Sequence, residues 1–202
     1  MALWLEKAPL VLASRSEARR KILADAGIPI EIRAAEIDER EVEREAQVQE
    51  AGMVARLLAR AKAQAVSRDL RGRLVLGADQ TLTLEGRRFS KPVGRNSARE
   101  QLRALRGKAH QLHSAIALVR DGVLVFEHVE MASLTMRGFS DAFVETYLDT
   151  ADAAAYASVG GYQIESAGIH LFEKIEGDYF TILGLPLLPL LAYLRQSGAL
   201  RG

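Results

Sequence analysis

Apolar positions along the chain alternate between strand-like runs and helix-like stripes. Pro9 to Ala13 is a continuous apolar run that reads as a buried strand. The turn Ser14, Arg15, Ser16 then leads into an amphipathic helix with Ser16 as its N-cap, and Gly27 stops it. Pro29 to Ala34 reads as a short strand, followed by the acidic knot Glu36, Asp38, Glu39. Met53, Leu57, Leu58, Ala61 and Ala65 keep helical spacing through a long segment that carries Lys62 beside its apolar stripe. Leu74 to Leu76 is apolar without alternation, as in a strand buried on both faces, and it runs out at Gly77, Ala78 and Asp79. An alternating TLTL, a Glu85-Gly86 turn and a return strand to Phe89 make a hairpin closed by Lys91-Pro92.

Asn96 or Ser97 is expected to cap a helix through Leu105, with Gly107 as its stop. His110 to Arg120 alternates as a half-buried strand, Asp121-Gly122 is a hairpin turn, and strand continues from Val123 to Met136. Ser140 opens another helix, a loop of small residues follows from Ala157 to Gly168, and a strand is expected over 169–175. Glu176 to Asp178 turns the chain toward an apolar C-terminal helix after Gly184-Leu185-Pro186. Interleaved helices, strands and hairpins predict an α/β fold with a mixed sheet rather than a purely parallel one.

The 202 residues suffice for one domain or two closely joined lobes around a full core. A net charge of +1 lacks the electrostatic footprint of a dedicated nucleic-acid binder, so any phosphate ligand is expected to be small. The absence of cysteine excludes disulfides and thiolate metal sites. The N-terminal stretch is too short and too acidic for a signal sequence, and the longest apolar run, Phe180 to Leu194, is interrupted by Gly184, Pro186 and Pro189. No membrane association is expected, and a cytoplasmic location is.

Within this frame the residues that invite chemistry are few. The first turn of a helix already favours anions, so Arg19 and Arg20 are locally unfavourable there unless negative charge arrives. At about 100° per residue, Arg19 falls among Ala18, Ile22, Leu23 and Ala26, on the face that turns inward, and there it requires a partner. Solvation of an ordinary helix is the alternative for both. Asp79 stands at the exit of a buried strand, where α/β folds bind ligands, although capping the next turn would also explain it. Lys91 can return an ammonium toward that strand end, or simply solvate a hairpin; Lys62 can likewise snorkel along its helix. Glu36, Asp38, Glu39 and Asp79 offer oxygen ligands suited to Mg²⁺ or Mn²⁺. His110 and His113 lie three apart in a strand and point to opposite faces, so they do not chelate one ion. Walker A, G-x-S-x-G and G-x-G-x-x-G patterns are absent. Arg99, Arg103, Arg106 and Lys108 lack an aromatic platform and read as a solvated face.

LASRSEARRKIL at 12–23, EIDER at 36–40, ARAKA around Lys62, GADQT at 77–81, SKP at 90–92 and GLPL at 184–187 occur in an order that resembles the Maf family. Those proteins are nucleoside triphosphate pyrophosphatases also linked to control of septum formation. The likeness spans nearly the whole chain, 1–202, as a single domain. It implies an elongated mixed sheet flanked by helices, two lobes with a deep cleft of the Maf/ITPase type, and a homodimer. The implied activity is metal-dependent hydrolysis between the α and β phosphates of a nucleoside triphosphate, with Mg²⁺ or Mn²⁺. By motif, Asp79 is the implied proton acceptor, Glu39 helps with metal or water, and Lys62 and Lys91 offset developing charge. Ser14, Arg19 and Arg20 would hold phosphates, and Glu39 and Asp79 would hold the metal. Gln80 and Glu165 resemble the branch acting on 7-methyl-GTP rather than the pyrimidine branch, while Ala18 replaces an aromatic residue of that branch, which leaves open a broad nucleotide range or a different modified nucleotide. A nucleotide-binding regulator of septum formation without turnover is the competing class.

Overall fold

Three apolar residues in a row, Leu10–Leu12, form β1, and every one of them is fully buried. In the computed structural model, which describes residues 3–202, β1 is followed by α1 (Glu17–Asp25), β2 (Ile30–Ile32), α2 (Glu39–Ala46) and α3 (Ala51–Ser67). Next come β3 (Leu74–Leu84), β4 (Arg87–Phe89), α4 (Gly94–Leu105), β5 (Ala109–Arg120) and β6 (Val123–Met136). The chain ends with α5 (Asp141–Ala151), α6 (Ala154–Ala157), β7 (Phe172–Glu176), α7 (Tyr179–Ile182) and α8 (Leu187–Gln196). The sheet has seven strands in the order β2-β1-β3-β5-β6-β7, with β4 paired to β3. Its β1–β2 and β1–β3 pairs are parallel whereas β3–β4 and β6–β7 are antiparallel, so the mixed α/β architecture expected from the interleaved pattern is present.

The chain divides into two compact units. The first comprises 1–80, 113–130 and 178–202; the second comprises 81–112 and 131–177. In the first unit, Ile22 and Leu23 of α1 and Leu187, Leu190 and Leu194 of α8 pack with Leu10, Leu12, Leu76, Ile116 and Leu118. Helix α3 presents small residues to the strands, Ala55 and Ala59 meeting Ala115 and Ala117, and Ala63 meeting Val11, Val75 and Val119. The approach is closest at Gly77, where a Cβ would lie 2.0 Å from the Ala59 carbonyl oxygen. In the second unit, α4 buries Ala98, Leu102 and Leu105, and α5 buries Val144, Tyr147 and Leu148. Arg95 and Arg99 of α4 pair with Glu145 of α5.

Several boundaries move for identifiable reasons. Ser16 caps α1 as expected, its hydroxyl accepting from the Arg19 N–H, and Ser140 caps α5 through the Phe143 N–H. Neither Asn96 nor Ser97 caps α4; that helix begins earlier, at Gly94. The strand expected over 169–175 starts at Phe172, because Ala167–Leu171 coil into a 3₁₀ turn. Within the acidic knot, Asp38 is the N-cap of α2 and accepts from the Arg40 and Glu41 N–H groups.

Candidate active site

Strand β3 runs unbroken from Leu74 to Leu84, through the alternating segment expected to be separate, so Asp79, its one acidic residue, stands in mid-strand and not at the strand exit that the apolar run predicted. Asp79 is 9% exposed. The Nζ of Lys62 lies 2.6 Å from its Oδ1 and 2.7 Å from Oε1 of Glu39, so one ammonium bridges two carboxylates brought from α2 and β3. The bridge depends on the tight fit at Gly77, since Ala59 and Ala63 sit one turn below and one residue beyond Lys62 on the same helix. Burial pushes the Asp79 carboxyl above the usual carboxylate range; Lys62 and Arg19 pull it back, and Glu39 adds to the rise.

Arg19 satisfies the requirement that its inward position created. Its Nε donates to the Gly184 carbonyl at 2.8 Å, and its Nη1 donates to the Ala78 carbonyl at 2.8 Å and to Ser14 Oγ at 3.2 Å. The guanidinium therefore ties together the β1–α1 turn, the β3 backbone next to Asp79 and the turn before α8. Burial draws it below its ordinary value, while Asp79 and Glu39 act in the opposite direction. Ser14 Oγ also accepts from the Ser16 N–H at 3.2 Å, which shapes the turn that precedes α1.

The first unit thus brings together Ser14, Arg19, Glu39, Lys62, Asp79 and Gln80 of the residues singled out in the sequence. Arg20 points outward and is paired with Glu17 on the exposed side of α1. Ala18, half-buried, precedes Arg19 on α1. Glu36 is exposed in the loop before α2. Lys91 and Glu165 belong to the second unit, and both are exposed. The two histidines separate as their strand parity requires: His110 is buried beside Tyr162 in the second unit, and His113 lies in the first. Among the described residues no group of three or more His, Cys, Asp or Glu side chains converges on one ion. No helix among them is long and apolar enough to cross a membrane.

Sequence reasoning missed the turn that precedes α8. The Gln80 Nε2 donates to Ser114 Oγ at 2.9 Å and lies 3.2 and 3.0 Å from the carbonyl oxygens of Thr181 and Ile182. Ser114 and Thr181 are fully buried polar residues, and the Thr181 hydroxyl donates to Glu130 at 2.9 Å. The available signal was a polar residue set among apolar ones, Ser114 before Ala115 to Val119 and Thr181 between Phe180 and Ile182.

A desolvated carboxylate within a sheet strand, bridged by lysine and backed by an arginine at a helix start, suits a protein that handles phosphate-bearing ligands. Residues 9–197 match the model of Maf-like proteins, and the chain belongs to that family. It is 55% identical over 197 residues to the nucleoside triphosphate pyrophosphatase of Nitrobacter winogradskyi, covering 98% of each chain. It is 54% identical to the protein of the same name from Rhodopseudomonas palustris strain HaA2, again over 98% of each. A 7-methyl-GTP pyrophosphatase of Mesorhizobium japonicum is 51% identical over 96% of this chain and 98% of its own.

Proposed function

We propose that this protein hydrolyses the α–β phosphoanhydride of a nucleoside triphosphate to the monophosphate and pyrophosphate. The observation that carries this reading is the Asp79–Lys62–Glu39 bridge beside Arg19, found in a chain whose full-length relatives bear the name of that activity. Water adds across the anhydride: its oxygen forms the new phosphorus–oxygen bond, its proton passes to Asp79, the bridging bond breaks and pyrophosphate leaves. An aspartate with its usual pKa near 3.9 is a weak base for water, and the upward push of burial moves Asp79 toward the task. Lys62 and Arg19 supply the positive charge that the developing phosphate oxygens require. Ser14 and Arg19 line the start of α1, where backbone N–H groups and the helix dipole also favour phosphate.

The donor chemistry suits a divalent metal as well. Glu39 and Asp79 already direct one oxygen each at a single cation, the Lys62 ammonium, and two carboxylates completed by phosphate oxygens and water are the usual surroundings of Mg²⁺. When bound, such an ion would acidify water and share the charge of the triphosphate. The roles that motifs give to Lys91, Arg20 and Glu165 belong to the same proposal and rest on the family resemblance.

The test is pyrophosphate release from the standard nucleoside triphosphates and 7-methyl-GTP, with Mg²⁺ or Mn²⁺, by wild type and by Lys91→Ala, Arg20→Ala and Glu165→Gln. Release by wild type, with rate losses in Lys91→Ala and Arg20→Ala and an altered nucleotide ranking in Glu165→Gln, is expected. Tight nucleotide binding without release on any substrate would instead establish a nucleotide-binding regulator.

A further inference from the structure

Two cations stand close to Asp79, and they are held in opposite ways. Arg19 is fixed by neutral groups of the scaffold: its Nε donates to the Gly184 carbonyl at 2.8 Å, and its Nη1 donates to the Ala78 carbonyl at 2.8 Å and to Ser14 Oγ at 3.2 Å. Lys62 has no such anchor. Its partners among the described residues are two carboxylates, Asp79 Oδ1 at 2.6 Å and Glu39 Oε1 at 2.7 Å. An ammonium on a four-carbon stem is a movable point charge, whereas a guanidinium forked between backbone carbonyls is not.

These carboxylates are the same two whose oxygens suit a divalent ion, so the ammonium occupies the place their charge prepares for it. Both cations cannot be served at once. With the carboxylates ionised, the charges of Asp79, Glu39, Lys62 and Arg19 cancel, and a divalent ion set beside the ammonium would bring like charges into contact in a largely buried site. The Glu39 side chain, half exposed at the start of α2, leaves the bridge open to solvent on one side. Among the described residues no third His, Cys, Asp or Glu joins the pair, so the remainder of an ion's oxygen shell must come from water and phosphate. The same phosphates offer a released ammonium new partners.

We infer that Lys62 is a built-in stand-in for the metal: in the nucleotide-free protein its ammonium keeps Glu39 and Asp79 aimed at one point, and it yields them to a divalent ion and turns to the phosphates when metal and triphosphate arrive. Metal loading is then an exchange, weak in the free protein and favoured by the nucleotide. The coupling to nucleotide rests on the pyrophosphatase reading; the exchange itself does not.

The exchange is read without nucleotide. Mn²⁺ binding is titrated by electron paramagnetic resonance in wild type, Lys62→Met, Lys62→Arg and the double variant Lys62→Met with Glu39→Gln, each checked for folding by circular dichroism. Lys62→Met is expected to bind Mn²⁺ at least about tenfold more tightly than wild type, as removal of a unit charge at contact distance allows. Lys62→Arg keeps the charge and should bind no more tightly than wild type, and Glu39→Gln should abolish the gain. Unchanged or weaker binding by Lys62→Met overturns the inference, as does a gain shared by Lys62→Arg or one that survives Glu39→Gln. A second readout needs no variant. Acetylation of Lys62 by acetic anhydride, measured by mass spectrometry against the exposed Lys21 as reference, should quicken as Mn²⁺ is added to wild type. Labelling of Lys62 that stays constant at every Mn²⁺ concentration the folded protein tolerates overturns the inference even if Lys62→Met fails to fold. A wild type that shows the exchange but releases no pyrophosphate from any nucleotide would sink the pyrophosphatase reading and leave the exchange standing.

Discussion

Asp79 is where local chemistry and stability conflict. Its carboxyl is raised above the ordinary aspartate value of 3.8, with burial as the first cause, so the folded protein holds this proton to higher pH than the unfolded chain does. The contribution to stability is therefore complete below pH 3.8 and falls as pH rises through the folded value. At neutral pH the ionised carboxylate costs the fold. Asp79→Asn removes that cost, and Lys62 keeps its contact with Glu39. The variant is expected to lose at least about a thousandfold in pyrophosphate release, as removal of a general base and its charge allows. Its Tm at pH 7 should equal or exceed that of wild type, with the advantage shrinking at acid pH; a Tm clearly lower at pH 7 would show that the Lys62 pair stabilises more than desolvation costs. Helical spacing made the inward turn of Arg19 legible in the sequence, and the end of an apolar run made Asp79 so. The partners of Arg19 were not legible, because Gly184 lies 165 residues away and contributes only a carbonyl that any residue possesses.

The element that sets the site is α3, which rests on β3 through alanines and one glycine. Gly77 lacks positive φ; it is required because a Cβ would lie 2.0 Å from the Ala59 carbonyl and 2.8 Å from the Ala63 nitrogen. These are backbone atoms of a helix and cannot rotate away. Gly77→Ala must push α3 outward, and Lys62 rides on that helix within one turn of both contacts. The expected cost is about 1–3 kcal/mol from overpacking, read by chemical denaturation. A loss of activity larger than the loss of folded protein should accompany it, because the 2.6 Å contact of Lys62 with Asp79 opens. Full activity in the folded fraction would separate the helix position from the chemistry. The apolar stripe of α3 was readable in sequence, yet the short helix α2 was not: Glu39–Ala46 buries no residue and carries mostly charges, so periodicity had nothing to register. What holds its start is the Asp38 cap, and that cap takes Asp38 out of the acidic knot while leaving Glu39 facing Lys62.

At the scale of the molecule, the titrating groups divide between the units, and the second unit carries its own acid sensitivity. His110 is 1% exposed, with Nε2 2.6 Å from the Tyr162 hydroxyl, the rings of Tyr162 and Phe172 close by, and Nδ1 without a hydrogen-bond partner. Burial lowers its pKa from 6.5 to about 4, and the same burial pushes the Tyr162 phenol upward, so the hydroxyl remains a donor and the imidazole remains neutral. The unfolded chain binds a proton near pH 6.5 and the folded one only near 4. The stabilising contribution is therefore present above pH 6.5 and is lost as pH falls through that window. A shift of this size corresponds to about 3 kcal/mol of lost stability between pH 6.5 and 4. His110→Phe removes the titration and the acceptor for Tyr162 together. It should be less stable than wild type at pH 7 by about 1–3 kcal/mol, as expected for a buried hydroxyl left unpaired, yet show a flatter profile on acidification. Urea denaturation of both proteins across pH 7 to 4 provides the check, read by pulse-labelled amide exchange within 131–177 to follow the second unit and by the fluorescence of Trp4, the only tryptophan, to follow the first. Parallel profiles for the two proteins would clear His110 of the acid response. Converging profiles confined to the exchange signal of 131–177 would place it in the second unit.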